Sequence, residues 1–308
     1  MKNKLQLGVL AYAWPSNKLS PSKVLRQTIT FAKEIEEMGL SSCWFTEHHE
    51  PGIAWSCPDI LVGPVAQATR RLRVGTAGVQ LLAYNPLKLA NDFKCLSALY
   101  PGRIGLGLGS GLIGINHLAL AKVVPRSKEE LGAMFREKVR TLVRLLEGHV
   151  FQTGEFKGCK AFPDGKDLPE IWVLGMGGLG FKVANELKLN YFHGLLTDRQ
   201  NLVGENKIRL YGSDKTKGTH RKCITAGIIC APTEDLAQKA LRRSMKLASI
   251  KTALPQLMIV GTPDQCRREL LAIQNEYKTN EIIIRTLNAS QEEVLDRFNL
   301  VAKACRLK

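Results

Sequence analysis

Trp44–His49, WFTEHH, with Cys43 before it and Pro51-Gly52-Ile53-Ala54-Trp55 after it, is the stretch whose reading decides the fold. Its first half is aromatic and β-propensive and follows a helical pattern that ends at Met38-Gly39, so Cys43–Phe45 is expected to be a short buried strand. A carboxylate and two imidazoles then arrive in succession as the strand stops. In a parallel α/β protein the carboxyl ends of strands are where side chains meet a ligand. Three titratable groups at that place mark it as the point the rest of the chain serves.

Working outward, the flanks alternate between strand and helix. Leu5–Ala13 (LQLGVLAYA) is an apolar run of strand length. Ser20-Pro21 opens a helix whose Val24, Ile29, Phe31, Ala32, Ile35 and Met38 recur at helical spacing. Downstream, Pro58–Arg70 and Pro86–Leu99 read as helices, Leu72–Ala77 and Arg103–Leu108 as strands, with no tract between them long enough for a linker. Leu112–Pro125 is an apolar loop, and Ser127–Leu146 a helix with Ser127 and Glu130 as a capping box. Val150–Phe162 reads as a small hairpin insertion around Gly154.

Ile171–Leu174, Tyr191–Leu195, Cys223–Cys230 and Glu281–Arg285 supply the remaining strands. Phe181–Leu187, Thr233–Leu247, Asp264–Tyr277 and Gln291–Cys305 supply the remaining helices, with Val260-Gly261-Thr262-Pro263 capping the third of these. About eight strand–helix units predict an α/β fold, a (β/α)8 TIM barrel. It is expected to be one domain over residues 1–308, with an insertion around 112–165 and a shortened or irregular region at 199–221. A doubly wound open sheet would carry a GxGxxG turn after its first strand, and here that strand ends in AYAWP.

Composition narrows the class. Hydrophobic residues at 44% and charged residues at 23% suit a globular chain with a sizeable core. No apolar run approaches the roughly 18 residues of a membrane span, and Met1-Lys2-Asn3-Lys4 opens no signal peptide. The eight cysteines are scattered without a CxxC pair, which points to reduced thiols and a cytoplasmic protein. The formal net charge of +16 is spread rather than blocked, and no nucleic-acid-binding motif accompanies it. It reads either as a solvated basic surface or as a dock for an acidic or carrier-protein-bound small molecule, with no membrane and no specific nucleic acid as partner.

The constellations leave their chemistry open. Strand alternation puts Glu47 and His49 on one side and His48 on the other. His48 could serve as a general acid/base or as a hydrogen-bond donor to a ligand, or the three could be a structural cluster. Vicinal histidines without an HExxH spacing argue for no metal. Gly105–Gly111 (GLGLGSG) could cradle a phosphate or merely permit close packing. Gly175–Gly180 (GMGGLG), between a strand and a helix, could offer N–H groups to an anion or be a tight turn. Thr76–Gln80 ends its strand with small residues, as beneath a flat ligand, and no GxSxG exists for nucleophilic catalysis.

WFTEHH, VGTAGV, NPLKLANDFKCLSALYPGRIGLGLGSG and the C-terminal IVGTPDQC…EIIIRTL together resemble the bacterial luciferase-like flavin-dependent monooxygenase family. The similarity covers Leu5 to Ser110, Leu168–Leu187, and Val260 to the C-terminus; Asn201–Arg221 does not match. The resemblance implies a (β/α)8 barrel that holds reduced FMN at its C-terminal mouth. A flavin reductase supplies the FMN, which works with O2 to oxygenate a small organic substrate, in a cytoplasmic homodimer. By position, His48 matches the catalytic histidine beside the isoalloxazine, with Glu47 and His49 its neighbours. Ala77-Gly78 falls where relatives carry a non-proline cis peptide beneath the flavin.

Two departures stand out. Ser110 replaces an arginine that many relatives place on the FMN phosphate, and Met176 and Gly177 stand where they carry serines. Phosphate contact then falls to Ser110, to backbone N–H groups of Gly177–Gly180, or to a basic residue from elsewhere. The expected set is Glu47 and His48 as catalytic residues, and Tyr12, His48, Ala77, Gly78, Gln80, Ser110, Gly175, Met176, Gly177 and Gly178 around the cofactor. Asn116 and His193 are expected at the substrate. Tyr12, Gln80, Asn116 and His193 enter only as positions near strand ends. The alternatives are a deazaflavin-dependent oxidoreductase on the same barrel and a flavin-binding protein without turnover.

Overall fold

The computed structural model describes residues 4–12, 19–49, 53–110, 127–175, 178–194, 221–247, 258–286 and 289–307. Its strands are β1 Gln6–Ala11, β2 Ser42–Phe45, β3 Arg73–Thr76, β4 Val79–Gln80, β5 Ile104–Gly109, β6 Glu170–Gly175, β7 Asn190–Gly194, β8 Lys222–Cys230, β9 Met258–Gly261 and β10 Glu281–Arg285. The helices between and after them are α1 Pro21–Glu37, α2 Pro58–Ala68, α3 Pro86–Leu99, α4 Lys128–Leu146, α5 Leu179–Glu186, α6 Glu234–Leu247, α7 Pro263–Tyr277 and α8 Gln291–Cys305.

Strands β1, β2, β3, β5, β6, β7, β8 and β10 pair in that order, all parallel, and β10 pairs with both β8 and β1. The sheet therefore closes into the expected eight-stranded barrel with helices outside. β4 continues β3 past Ala77-Gly78, whose peptide bond is cis as the resemblance implied, and pairs with β5. The helix starts follow local chemistry. Asn85 accepts from the N–H groups of Leu87 and Lys88 at the head of α3, and Thr262/Gln265 and Ser290/Glu293 form reciprocal capping boxes for α7 and α8. Ser127 accepts from the Glu130 N–H, one half of the capping box expected at α4.

Two expectations change. Met258–Gly261 is a strand, because the upper half of the long β8, Gly227–Cys230, is free to pair with it outside the barrel ring; only Thr262-Pro263 belongs to the cap. Val150–Phe162 is no hairpin. Gly154 and Gly158 both turn the backbone through positive φ, and a single parallel bridge, Phe151 to Lys157, replaces a ladder. The loop 112–125 and residues 199–220 lie outside the described residues.

Alternation along the strands sorts side chains into two cores. Leu7, Val9, Cys43, Phe45, Val74, Ile282 and Ile284 face the helices, while Leu10, Trp44, Trp172, Phe192, Cys223 and Ile283 fill the lumen. Trp44 meets Trp172 and Phe192 edge-on at 5.7 and 5.5 Å between ring centroids, and its Nε1 donates to Ser42 Oγ at 2.9 Å. Its indole lies against Gly75 and Gly105, where any Cβ would fall within 2.6 Å of it.

Below this layer, at the N-terminal ends of the strands, Arg73 and Arg221 each bridge both Glu170 and Glu281. Burial alone would lower the Arg221 pKa, but Glu281 and Glu170 outweigh it and hold it above the ordinary value. Ion quartet and aromatic layer together fill the lower barrel, leaving the C-terminal mouth as the open end. Among the described residues no helix is long and apolar enough to cross a membrane.

Close approach of β3 and β5 yields a first prediction. A Cβ at Gly107 would sit 2.0 Å from the Thr76 carbonyl oxygen, whereas one at Gly165 meets nothing within 4 Å. Gly107→Ala is expected to lower unfolding stability by about 1–3 kcal/mol in chemical denaturation, with Gly165→Ala close to neutral. Equal effects would contradict this packing.

Candidate active site

Past the end of β2 the chain keeps its alternation, and Glu47 turns away from solvent, its side chain 1% exposed. Both of its oxygens are engaged. Oε1 accepts from His49 Nε2 at 2.8 Å, and Oε2 accepts from the Gln80 N–H at 2.9 Å and the Tyr84 hydroxyl at 3.0 Å. Burial, and then the charge of Glu47, push the Tyr84 pKa upward, so the phenol stays protonated and donates. Lys138 of α4 donates to the carbonyls of Leu81, Leu82 and Tyr84, holding the 3-10 turn at Leu81–Ala83 that follows β4. Trp55 folds back on the same point, donating from Nε1 to the Thr46 carbonyl at 3.2 Å. Glu47 thus ties the ends of β2 and β4 together.

With Glu47 and His49 paired on one side, His48 is left on the other, as the alternation predicted. Its Nδ1 lies 3.3 Å from the Tyr12 hydroxyl, and the two rings are 4.2 Å apart between centroids. A phenol donating to Nδ1 leaves the proton of a neutral imidazole on Nε2. Tyr12 follows β1 on the lumenal register of Leu10 and is 39% exposed, so this pair stands at the mouth. On the next strand, Arg285 carries its guanidinium 5.9 Å from the Tyr12 ring. The sequence reading did not single out Arg285; its shared parity with Glu281 and Ile283 in EIIIR was the available signal. It also missed Tyr84 and Lys138, which carry no motif.

Across the mouth, the rim is built from backbone. Ala77-Gly78 lies between β3 and β4, and a Cβ at Gly78 would fall 2.6 Å from the Gly107 carbonyl oxygen and 2.9 Å from Leu174 Cδ1. The Gln80 side chain lies alongside Gly109, and Ser110 follows β5, both partly exposed. Gly175 ends β6. Gly178, at φ 62°, stands at the N-cap of α5 and brings no side chain to the first N–H groups of that helix. A Cβ at Gly180 would fall 2.5 Å from the Leu174 carbonyl oxygen, so the helix end sits directly on β6. Met176, Gly177 and Asn116 lie outside the described residues.

His193 is placed differently from its expected position at the substrate. It shares the helix-facing side of β7 with Tyr191, whose hydroxyl donates to the Gly175 carbonyl at 3.1 Å and lies 3.2 Å from His193 Nδ1. Phe192 is the residue that enters the lumen. Position at a strand end did not fix which face the side chain takes. Among the described residues no group of three or more His, Cys, Asp or Glu could hold a metal ion.

Comparison with known proteins adds four findings. The family profile described as Luciferase-like monooxygenase matches residues 5–279. The uncharacterised protein YceB of Bacillus subtilis is 29% identical over 314 residues, covering 91% of this chain and 93% of its own. The N-acetyl-S-alkylcysteine monooxygenase of the same organism is 25% identical, covering 92% of each chain. Among solved structures, the oxygenating constituent of 3,6-diketocamphane monooxygenase from Pseudomonas putida, a type II Baeyer-Villiger monooxygenase in complex with FMN, superposes with a TM-score of 0.77. It is 17% identical and covers 97% of each chain, a likeness of fold.

Two outcomes follow from this geometry. Glu47→Ala strands the buried donors of Gln80 and Tyr84 and should lower stability by about 2–4 kcal/mol, against about 1 kcal/mol for Tyr84→Phe, both read by chemical denaturation. The second concerns His193. Burial pushes its pKa from an ordinary 6.5 down to about 4, so the unfolded chain takes up a proton that the folded chain refuses. Stability that is full above pH 6.5 is lost as the pH falls toward 4, by roughly 2–4 kcal/mol from this group. His193→Gln should flatten that fall, and an unchanged pH slope in the variant would contradict it.

Proposed function

The chain belongs to the luciferase-like monooxygenase family, and we propose that its barrel mouth takes reduced FMN from a separate flavin reductase and uses O2 to oxygenate a small organic substrate. The observation that carries this reading is the wall of Gly78, Gly107 and Gly109, which add no side chain beside Ala77 and Leu174, flanked by the Tyr12–His48 pair on one side and the α5 N-terminus on the other. A flat ring system suits that wall, because its glycines keep β3, β4 and β5 close together and put no side chain between them and a ligand in the mouth. An anionic phosphate suits the far rim, where Ser110 follows β5 and Gly178 opens α5 after the neighbouring β6.

In this reading Tyr12, His48, Ala77, Gly78 and Gln80 border the ring, and Ser110, Gly175 and Gly178 hold the phosphate end together with Met176 and Gly177. When bound, reduced FMN supplies the electrons that activate O2 for insertion of one oxygen atom. The chain's own residues orient and shelter. His48, with Tyr12 on Nδ1, holds or passes a proton at Nε2. Glu47, expected to be catalytic, is buried with both oxygens engaged and in this reading positions His48 instead, through the backbone it shares with both histidines. Phe192 and Trp44 close the lumen beneath and exclude water. Asn116 is proposed to line the substrate side.

Ser110 bears on how the cofactor arrives. An arginine there would add a charge-assisted contact worth about 1.5–3 kcal/mol, so a serine fits a diffusible reduced flavin better than a tightly held prosthetic group. A homodimer, if formed through helices, would find apolar surface at Ile60 on α2 and Leu99 on α3, which are 69% and 68% exposed.

Ser110→Arg is accordingly expected to tighten FMN binding by about tenfold to a hundredfold in a fluorescence titration. His48→Ala should keep the wild-type circular dichroism and lose about a hundredfold or more in kcat when coupled to a reductase. Unchanged coupled turnover in His48→Ala, or turnover that needs a reduced deazaflavin and no O2, would sink this assignment.

A further inference from the structure

Arg285 ends β10 on the same face as Glu281 and Ile283. Glu281 belongs to the ion quartet at the closed end and Ile283 to the lumenal core, so Arg285 stands one layer higher, at the mouth. Its Nε is shut off from solvent and has no hydrogen-bond partner. Among the described residues the guanidinium makes no ion pair, and its neighbour is the Tyr12 ring at 5.9 Å.

Other half-buried arginines are spoken for. Arg73 and Arg221 sit between two glutamates, Arg103 donates to the Thr69 and Leu72 carbonyls, and Arg297 donates to Thr286 Oγ1. Burial pushes the Arg285 pKa down, and Tyr12 alone pushes it back. A guanidinium stays charged and carries five donors, so leaving its dry Nε unpaired is costly unless a ligand completes it.

The FMN phosphate is a poor candidate for that ligand. Around the ring of strands, β10 lies four strands from β5 in either direction, so Arg285 is diametrically opposite Ser110. It is instead the immediate neighbour of β1, next to Tyr12 and His48.

We propose that Arg285 is an anion-binding residue of the substrate subsite, and that the small molecule this chain acts on carries a carboxylate, which the guanidinium takes as a bidentate pair beside Tyr12. That the occupant is a substrate rests on the flavin-dependent reading of the mouth; the anion subsite rests on Arg285 itself.

The test uses the full chain and two acid–amide pairs, benzoate with benzamide and hexanoate with hexanamide, at fixed ionic strength. Apparent affinity is read from thermal shift and from tryptophan fluorescence. At least one acid should bind the wild type about tenfold or more tightly than its amide. That preference should vanish in Arg285→Met and survive in part in Arg285→Lys. A parallel FMN titration should be unchanged in Arg285→Met. If Arg285→Met does not fold, Arg285→Gln takes its place.

No preference for either acid over its amide in the wild type overturns the proposal, and so does a preference that persists without Arg285. Loss of FMN affinity in the variant with no acid preference in the wild type also overturns it, assigning the cation to the flavin. Failure of FMN to bind the wild type while the acid preference holds would remove the flavin reading and leave the anion subsite standing.

Discussion

Arg73, Arg221, Glu170 and Glu281 close the N-terminal end of the barrel, each cation touching both anions, and that closure settles where a ligand can enter. These residues stand at or just before the starts of β3, β8, β6 and β10, so the four charges also lock the register of strands far apart in sequence. Removing one partner would leave a charge uncompensated in a partly dry place, which is where ion pairs matter most. Above them the Trp44, Trp172 and Phe192 rings fill the lumen edge to face. Arg221 spans both layers, its guanidinium 5.3 Å over the Trp172 ring. A barrel filled from below leaves its chemistry to the C-terminal mouth.

At that mouth the decisive device is a carboxylate that faces away from it. Glu47 is satisfied by three donors from His49, Gln80 and Tyr84, and by holding them it fixes the backbone on which His48 stands. Two adjacent histidines thereby acquire different work. His49 completes the buried bracket, and His48 is delivered to Tyr12 at the lumenal rim. Arg285 stands beyond Tyr12, so an imidazole, a phenol and a guanidinium follow one another across β2, β1 and β10. The opposite rim offers backbone and Ser110, and the division suits a ligand with a flat body and an anionic tail.

Most of this architecture was legible because most strands are short apolar runs and several of the helices between them carry side-chain caps. Asn85-Pro86, Thr262-Pro263 and Ser290 announce their helices through side chains that accept the first N–H groups. What escaped had a physical reason in each case. Met258–Gly261 is too short to signal a strand and becomes one only because β8 overhangs the barrel. Val150–Phe162 looked like a hairpin, but glycines at positive φ turn it twice before a ladder can form. His193 and Arg285 show the same limit from opposite sides. Proximity to a strand end was readable for both, whereas facing the helices or the lumen depends on register, which only the closed sheet supplies. The bracket around Glu47 joins residues more than thirty positions apart, beyond any local pattern.

A mouth built for a reduced flavin should bind one tightly and selectively. Anaerobic titration of the full chain with reduced FMN, followed by absorbance and tryptophan fluorescence, addresses it most directly. The expected result is saturable one-to-one binding, tighter than that of oxidised FMN and of a reduced deazaflavin, with O2 consumed when air is admitted. Absence of saturation with reduced FMN, or a clear preference for the deazaflavin, would contradict it.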